Sequence, residues 1–246
     1  MNNALLSADF APLPNLAEPR WWTGTPALPP KLFTIDGDEF RVNGAPLEPS
    51  KELAERMQKT FNDVGLVHVI NTGLDKLQSM RLIATQVIKT QRDYEGGANP
   101  RKSLEANVYE VGAPLEAWLH YHHEMAYIGS STTMLGFLCH KMPSEGGYTF
   151  VSDSVQATNA ILATPFGQKL KDLGICYHRN LTDRREFVGV PEVGVYNHWQ
   201  QSMMTEDPDE AIAEARKRGL DAEWGDNGLL KTRYTVSAFE YFPQLD

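Results

Sequence analysis

The sequence lacks an excess of basic residues. Its 32 aspartates and glutamates outnumber its 23 lysines and arginines, which gives a formal net charge of -9 at pH 7. Proteins that hold nucleic acid or an anionic membrane surface need basic side chains to neutralise phosphate groups. We therefore expect neither nucleic acid nor a membrane among the partners. The densest basic run, residues 216–218, lies between Glu214 and Asp221, which is typical of a solvated helix face.

Long apolar runs and cysteines are also scarce. No segment approaches the roughly 18 apolar residues that a membrane-spanning helix needs. Residues 1–14 carry neither the basic region nor the long apolar core of a secretory signal. The 2 cysteines, Cys139 and Cys176, form no C-x-x-C motif, which favours reduced thiols over a disulfide framework. These features predict a cytoplasmic protein.

The length and composition are sufficient for a packed core. The chain has 246 residues, of which 41% are hydrophobic and 10% aromatic, and such values are typical of globular domains. Residues 1–48 predict an extended N-terminal arm, rich in proline and containing Trp21 and Trp22, followed by a hairpin with D-G and N-G turns. We assign residues 49–246 to one larger domain.

Helix and strand signals alternate along that domain. A helix that begins after Ser50 is predicted to end near Gly65, because apolar residues recur there at helical spacing. Other predicted helices are residues 75–89, a segment capped by Asp153 or Ser154, and a segment that starts at Asp207 with Pro208. Strand patterns occupy residues 66–71, 106–111, 117–127, 134–142 and 229–242. The sequence therefore predicts an α+β, mainly β, architecture.

Histidines concentrate in residues 117–127, which read A-W-L-H-Y-H-H-E-M-A-Y, although the whole chain has only 7 of them. Strand alternation would place His120, His122 and Glu124 on one face, and His123 on the other. An imidazole and a carboxylate two positions apart on one face can bind a single cation. The H-x-E pattern alone is weak evidence, since a hydrogen-bonded histidine near a surface carboxylate produces it equally well.

The segments that follow make the pattern more specific. After H-H-E-M-A-Y come the run L-G-F-L-C-H-K-M-P, the turn G-G-Y-T and S-D-S at a helix start. This order resembles the TauD/TfdA (taurine dioxygenase-like, clavaminate synthase-like) family of Fe(II)- and 2-oxoglutarate-dependent oxygenases. It looks closest to the branch of the syringomycin-pathway hydroxylase and related amino-acid β-hydroxylases. The resemblance continues through R-N-L-T-D, W-Q and L-L-K-T-R, and it implies a double-stranded β-helix (jelly roll) with flanking helices.

The resemblance also implies roles for particular residues. His122 and Glu124 correspond to the iron ligands of the family. Thr149 corresponds to a residue that hydrogen-bonds the carboxylate of 2-oxoglutarate. Gly146 and Gly147 would let the backbone turn tightly at the rim of the barrel.

Other residues near the motif have alternative explanations. His120 either lies beside the iron ligands and lines the pocket, or is a half-exposed strand histidine. His123 is expected to have a packing or hydrogen-bonding role. Asp153 is explained as a helix cap rather than a catalytic group. Trp118 and Tyr127 are expected to be core aromatics.

The retained carboxylate of Glu124 restricts the reaction that the resemblance implies. Related halogenases carry a small residue there, which leaves a coordination position for chloride. A carboxylate instead favours hydroxylation of a C–H bond in a small, amino-acid-like metabolite. Such a reaction consumes O2 and 2-oxoglutarate and releases succinate and CO2. The expected partners are therefore small molecules, and a homo-oligomer is left open.

The family also has a distal histidine, followed by an arginine that pairs with 2-oxoglutarate, and residues 1–246 contain no such pair in the corresponding order. We expect these elements to follow Asp246 in a longer chain. A degenerate relative that acts as a binding or assembly protein, or ligands supplied by a partner chain, are the alternatives. His178 and His198 stay open as distal ligands, and a zinc hydrolase that uses the same pocket stays open as a different chemistry.

Overall fold

The computed structural model describes residues 29–97, 101–111, 119–129, 132–142, 144, 149–187 and 198–241. Its helices are α1 (Lys51–Val64), α2 (Leu77–Ala84), α3 (Ser154–Leu162), α4 (Pro165–Leu173), α5 (Trp199–Met203) and α6 (Pro208–Lys217). Its strands are β1 (Thr34–Asp36), β2 (His68–Ile70), β3 (Ser103–Glu105), β4 (Val108–Tyr109), β5 (Ile175–Leu181), β6 (Asp221–Trp224) and β7 (Leu230–Val236). The architecture is mixed α/β with small sheets.

The sheets are short and separate. Strands β1 and β2 are parallel, and β3 and β4 are antiparallel. The largest of these sheets has three antiparallel strands in the order β5-β7-β6. The described residues do not form a double-stranded β-helix, so the jelly roll remains a prediction. The division between residues 48 and 49 also remains a prediction, and the arm with Trp21 and Trp22 lies outside the described residues.

The predicted N-terminal hairpin is not formed. Strand β1 pairs in parallel with β2, because this pairing buries Ile35 in a cluster with Leu53 and Met57 of α1. The D-G signal instead starts a short 3-10 helix, Gly37–Glu39, which Asp36 caps. A turn signal therefore predicted a local bend correctly, but the strand partner came from a distant segment.

The helix predictions are confirmed in their main features. The Ser50 hydroxyl accepts a hydrogen bond from the Leu53 amide, and Gly65 ends α1 in the left-handed conformation. Asp153 caps α3 and Asp207 caps α6 in the same way, each with a side-chain oxygen that accepts backbone amides. These signals are local, which is why the sequence alone located them.

A second core forms where α5 and α6 pack on the sheet β5-β7-β6. Its buried members are Leu181, Trp199, Met203, Ala211, Ala215, Leu220 and Leu230. The end of β5 is joined to α5 by Asp183, which is only 5% exposed. The Asp183 carboxylate accepts hydrogen bonds from Arg185 and from the Gln200 side-chain amide. This network connects the sheet to the helix that covers it.

Two strand predictions are wrong. Residues 134–142 have no regular secondary structure, and their apolar side chains Leu135, Phe137 and Met142 are exposed. An alternating pattern needs a neighbouring strand, and no described segment pairs with this one. Residues 119–127, the described part of the histidine stretch, are likewise not a strand. Within the described ranges, every helix is too short or too polar to cross a bilayer.

Candidate metal site

His122 and Glu124 lie together in the structure. The distance between His122 Nε2 and Glu124 Oε2 is 3.9 Å. Two donor atoms that each lie about 2.1 Å from one ion, as in zinc sites, are separated by at most about 4.2 Å. The pair can therefore contact a single metal ion.

The ring of His122 is oriented by a backbone contact. His122 Nδ1 lies 2.7 Å from the backbone carbonyl oxygen of His120. A carbonyl oxygen can only accept, so Nδ1 carries the proton and donates it. Nε2 is the ring nitrogen near Glu124, and a hydrogen bond from the other ring nitrogen is the usual device that orients a ligating imidazole. The contribution of His120 to this geometry is made by its backbone.

Glu124 is fixed by a residue that the sequence did not indicate. Arg101 Nη2 donates to Glu124 Oε1 over 3.0 Å, and the Glu124 side chain is only 16% exposed. The Arg101 guanidinium lies 4.5 Å from the centre of the Tyr94 ring. This arrangement leaves Glu124 Oε2 turned toward His122. No signal in the sequence distinguishes Arg101 from other basic residues that follow a loop.

The two donors lie at the start of a turn and not in a strand. Residues 124–129 are turns, and Met125 has a φ of +59°. Met125 and Ile128 are both buried, at 8% and 2% exposure, and the Ile128 amide donates to the Met125 carbonyl. Apolar residues three apart are typical of a helical turn, so the predicted alternation of faces is wrong here.

The turn is packed against the inward face of the sheet β5-β7-β6. The guanidinium of Arg179, on β5, lies 4.9 Å from the centre of the Tyr127 ring. Gly129 has a φ of +72° and lies directly against the Arg218 carbonyl oxygen, beside the Tyr234 ring. Tyr127 is half-buried, as expected for a core aromatic, whereas Trp118 lies outside the described residues.

Arg179 is a half-buried cation whose terminal nitrogens are shielded from solvent. Its Nη1 and Nη2 are buried and donate no hydrogen bond to any residue in the described ranges. Burial lowers the pKa of the Arg179 guanidinium, Tyr127 raises it, the nearby cation Arg218 lowers it, and Tyr94 raises it. No carboxylate is among these neighbours, which is unusual for a charged group removed from water.

The helix α3 starts beside the histidine stretch. His123 Nε2 lies 3.4 Å from Ser154 Oγ, which confirms a hydrogen-bonding role for His123. Thr149 is exposed in the segment that leads into this helix, and no described residue is hydrogen-bonded to it. Gly146 and Gly147 lie outside the described residues. The role of Thr149 therefore stays a prediction.

Neither alternative histidine joins the pair. His198 caps α5, because its Nδ1 accepts the Gln201 amide over 3.1 Å. His178 is exposed on β5 and lines an open groove together with residues of β6 and β7. In the described part of the chain, no three histidine, cysteine, aspartate or glutamate side chains are grouped closely enough to hold a metal. His122 and Glu124 are therefore two candidate ligands without a third among the described residues.

Comparison with known proteins relates part of the chain to a plant protein. No protein-family model matches the chain. The chain is 30% identical over 142 residues to a clavaminate synthase-like protein of Arabidopsis thaliana. The aligned region is 56% of this chain and 42% of that relative, so the chain spans less than half of the relative's length.

Proposed function

We propose that the protein is an Fe(II)- and 2-oxoglutarate-dependent dioxygenase that hydroxylates a C–H bond of a small, amino-acid-like metabolite. The observation that carries the proposal is the pair His122 and Glu124, whose free donor atoms lie 3.9 Å apart. The similarity to a clavaminate synthase-like protein supports the same class. We place the protein in the TauD/TfdA group on the order of motifs after Glu124.

The residues of the chain have distinct roles in this proposal. His122 and Glu124 would hold the iron, and Arg101 and the His120 carbonyl would hold these ligands in place. Thr149 would donate to a carboxylate of 2-oxoglutarate. When bound, Fe(II) with 2-oxoglutarate and O2 supplies the oxidation, with release of succinate and CO2. The protein contributes ligand geometry and the position of the substrate.

The proposal includes the setting of the reaction. The partners are the small-molecule substrate, 2-oxoglutarate and O2, in the cytoplasm, and the acidic net charge of -9 argues against nucleic acid or an anionic membrane as a partner. The distal histidine and the arginine for 2-oxoglutarate would come from chain beyond Asp246 or from a second copy of the protein. In the second case the protein would be a homo-oligomer in which two copies together form the site.

Anaerobic titration tests the proposal. Addition of Fe(II) and then 2-oxoglutarate should produce a visible charge-transfer band, because the 2-oxo acid chelates the iron. His122→Ala and Glu124→Ala should abolish the band. His68→Ala is the matched control, since His68 is an exposed histidine on β2, and it should leave the band unchanged. Absence of the band in the unmodified protein would overturn the proposal.

A second candidate is a binding or assembly protein without catalysis. It is favoured by one observation, which is that no third ligand joins His122 and Glu124 among the described residues. Succinate release coupled to O2 uptake would exclude this candidate. A protein that binds the metabolite but consumes no O2 with Fe(II) and 2-oxoglutarate present would support it.

A further inference from the structure

Within the described ranges, Arg179 is a half-buried cation with no anionic partner. Along β5 the inward-facing residues are partly or fully buried and the outward-facing residues are exposed. Arg179 is on the inward face, together with Ile175, Tyr177 and Leu181. Its Nη1 and Nη2 are both buried and find no hydrogen-bond partner in the described residues. Proteins rarely leave a guanidinium in this state, because its five N–H donors have lost water without replacement.

The groups around Arg179 do not neutralise it. Tyr127 presents the face of its ring at 4.9 Å from the guanidinium carbon, and a ring face carries no full negative charge. Arg218 is a second cation in the same region, and its own charge is paired with Glu214 at 2.8 Å. Among the described neighbours that influence Arg179, the remaining group is Tyr94. This part of the protein therefore has net positive charge and two phenols.

The same aromatic residues connect Arg179 to the candidate metal site. Tyr127 lies in the turn that follows Glu124. The Tyr94 ring stacks against Arg101, and Arg101 in turn binds Glu124. Arg179 therefore shares its surroundings with the two proposed metal ligands, although it lies far from them along the chain.

We propose that Arg179 binds a carboxylate of the small organic acid that the site uses. The planar guanidinium matches a carboxylate with two parallel hydrogen bonds, and such a pair is strongest where water is excluded. The inference rests on the proposed function, since it names one chemical feature of the ligand. Either the primary substrate or 2-oxoglutarate could supply that carboxylate.

Three variants of the full chain test the inference. Arg179→Met keeps an unbranched apolar stem but removes the charged guanidinium. Arg179→Lys keeps a positive charge but lacks the planar guanidinium. Arg233→Met is the matched control, because Arg233 lies on the adjacent strand β7 with an exposed side chain. Calorimetric titration would use 2-oxoglutarate and the twenty L-amino acids, each paired with its amide, anaerobically with and without Fe(II).

The inference predicts that Arg179→Met loses carboxylate affinity and retains its stability. Arg179→Met should bind at least one carboxylate about tenfold to a hundredfold more weakly than wild type, which is the usual effect of losing a charge-assisted pair. Arg179→Lys should recover part of this binding. The unfolding temperature of Arg179→Met should be no lower than that of wild type, because an uncompensated buried charge is removed. Arg233→Met should change neither property.

The pattern of loss identifies the ligand. Weaker binding of 2-oxoglutarate assigns Arg179 to the co-substrate, and weaker binding of an amino acid with 2-oxoglutarate unchanged assigns it to the primary substrate. Equal carboxylate affinities in wild type and Arg179→Met would overturn the inference. If the variant is also less stable, the amide ligands distinguish the two explanations. A structural defect should weaken the binding of the acid and of its amide equally, whereas loss of the ion pair should weaken the binding of the acid alone.

Failure of the inference can be distinguished from failure of the proposed function. If carboxylate binding depends on Arg179 but Fe(II) and 2-oxoglutarate give no visible band, the oxygenase proposal is overturned and the carboxylate site is supported. If the band is normal and Arg179→Met binds carboxylates as tightly as wild type, the oxygenase proposal is supported and the carboxylate site is overturned.

Discussion

Arg101 Nη2 lies 3.0 Å from Glu124 Oε1, and this ion pair sets the direction of the carboxylate. The other oxygen, Oε2, faces His122. Both partners are largely shielded from solvent, with side-chain exposures of 25% and 16%. The pair is therefore better suited to orienting a ligand than an exposed surface salt bridge would be.

Replacing Arg101 should weaken metal binding. Arg101→Met would release Glu124 to rotate, and loss of a group that orients a ligand lowers metal affinity by about 10- to 100-fold. Competition titration with Fe(II) under anaerobic conditions measures this affinity. The neighbouring Lys102→Met is the control, because Lys102 is exposed and forms no ion pair with a described residue. Equal affinities in the two variants would show that Arg101 does not orient Glu124.

Gly129 should tolerate no side chain. At a φ of +72°, a Cβ would overlap the Arg218 carbonyl oxygen, which belongs to the backbone. Gly129→Ala should lower the free energy of unfolding by about 1–2 kcal/mol, because alanine is unfavourable in the left-handed conformation. Displacement of the turn by the new Cβ should lower it further. Gly44→Ala is the control, since Gly44 has the same φ with open space around it. Denaturant unfolding should show the larger loss at Gly129, and equal losses would contradict the close packing of the turn.

The Asp183 network should make stability depend on pH in the acid range. The pKa of the Asp183 carboxyl lies well below its usual range, chiefly because the Arg185 side chain donates to it, while burial acts in the opposite direction. A folded-state pKa that is depressed contributes stability above the unfolded pKa, and this contribution is lost as the pH falls toward the folded pKa. The affected window therefore lies below about pH 4.

Asp183→Asn checks this assignment. The amide keeps the shape of the side chain but loses the charge that accepts from Arg185, so unfolding free energy at pH 7 should fall by about 1–3 kcal/mol. Between pH 5 and pH 2, wild type should lose more stability than the variant, as followed by denaturant unfolding at each pH. Parallel losses in both proteins would mean that Asp183 is not the group that titrates.

Asp153 should act as a helix cap and not as a catalytic residue. Its carboxylate accepts the amides of Val155 and Gln156 at the start of α3. Asp153→Ala should lower stability by about 1 kcal/mol, and Asp153→Ser should restore most of it, because serine also caps. Iron and 2-oxoglutarate binding, measured by the visible band, should be unchanged in Asp153→Ser. A loss of the band in that variant would assign Asp153 a role at the site.

The local features of this protein were determined by its sequence. Ser50, Asp153 and Asp207 each cap a helix where the pattern indicated, because a cap requires only a polar side chain and the next few backbone amides. The adjacency of His122 and Glu124 is local in the same sense. Two positions of separation keep the donors close in a turn as well as in a strand.

Tertiary structure decided the partners of these local features. The pairing of β1 with β2, the ion pair of Arg101 with Glu124 and the contact of Arg179 with Tyr127 all join segments that are distant along the chain. Such contacts depend on which apolar faces pack together, and no short-range pattern encodes that choice. The sequence therefore indicated where a metal could bind, whereas only the packed structure revealed which cations surround that position.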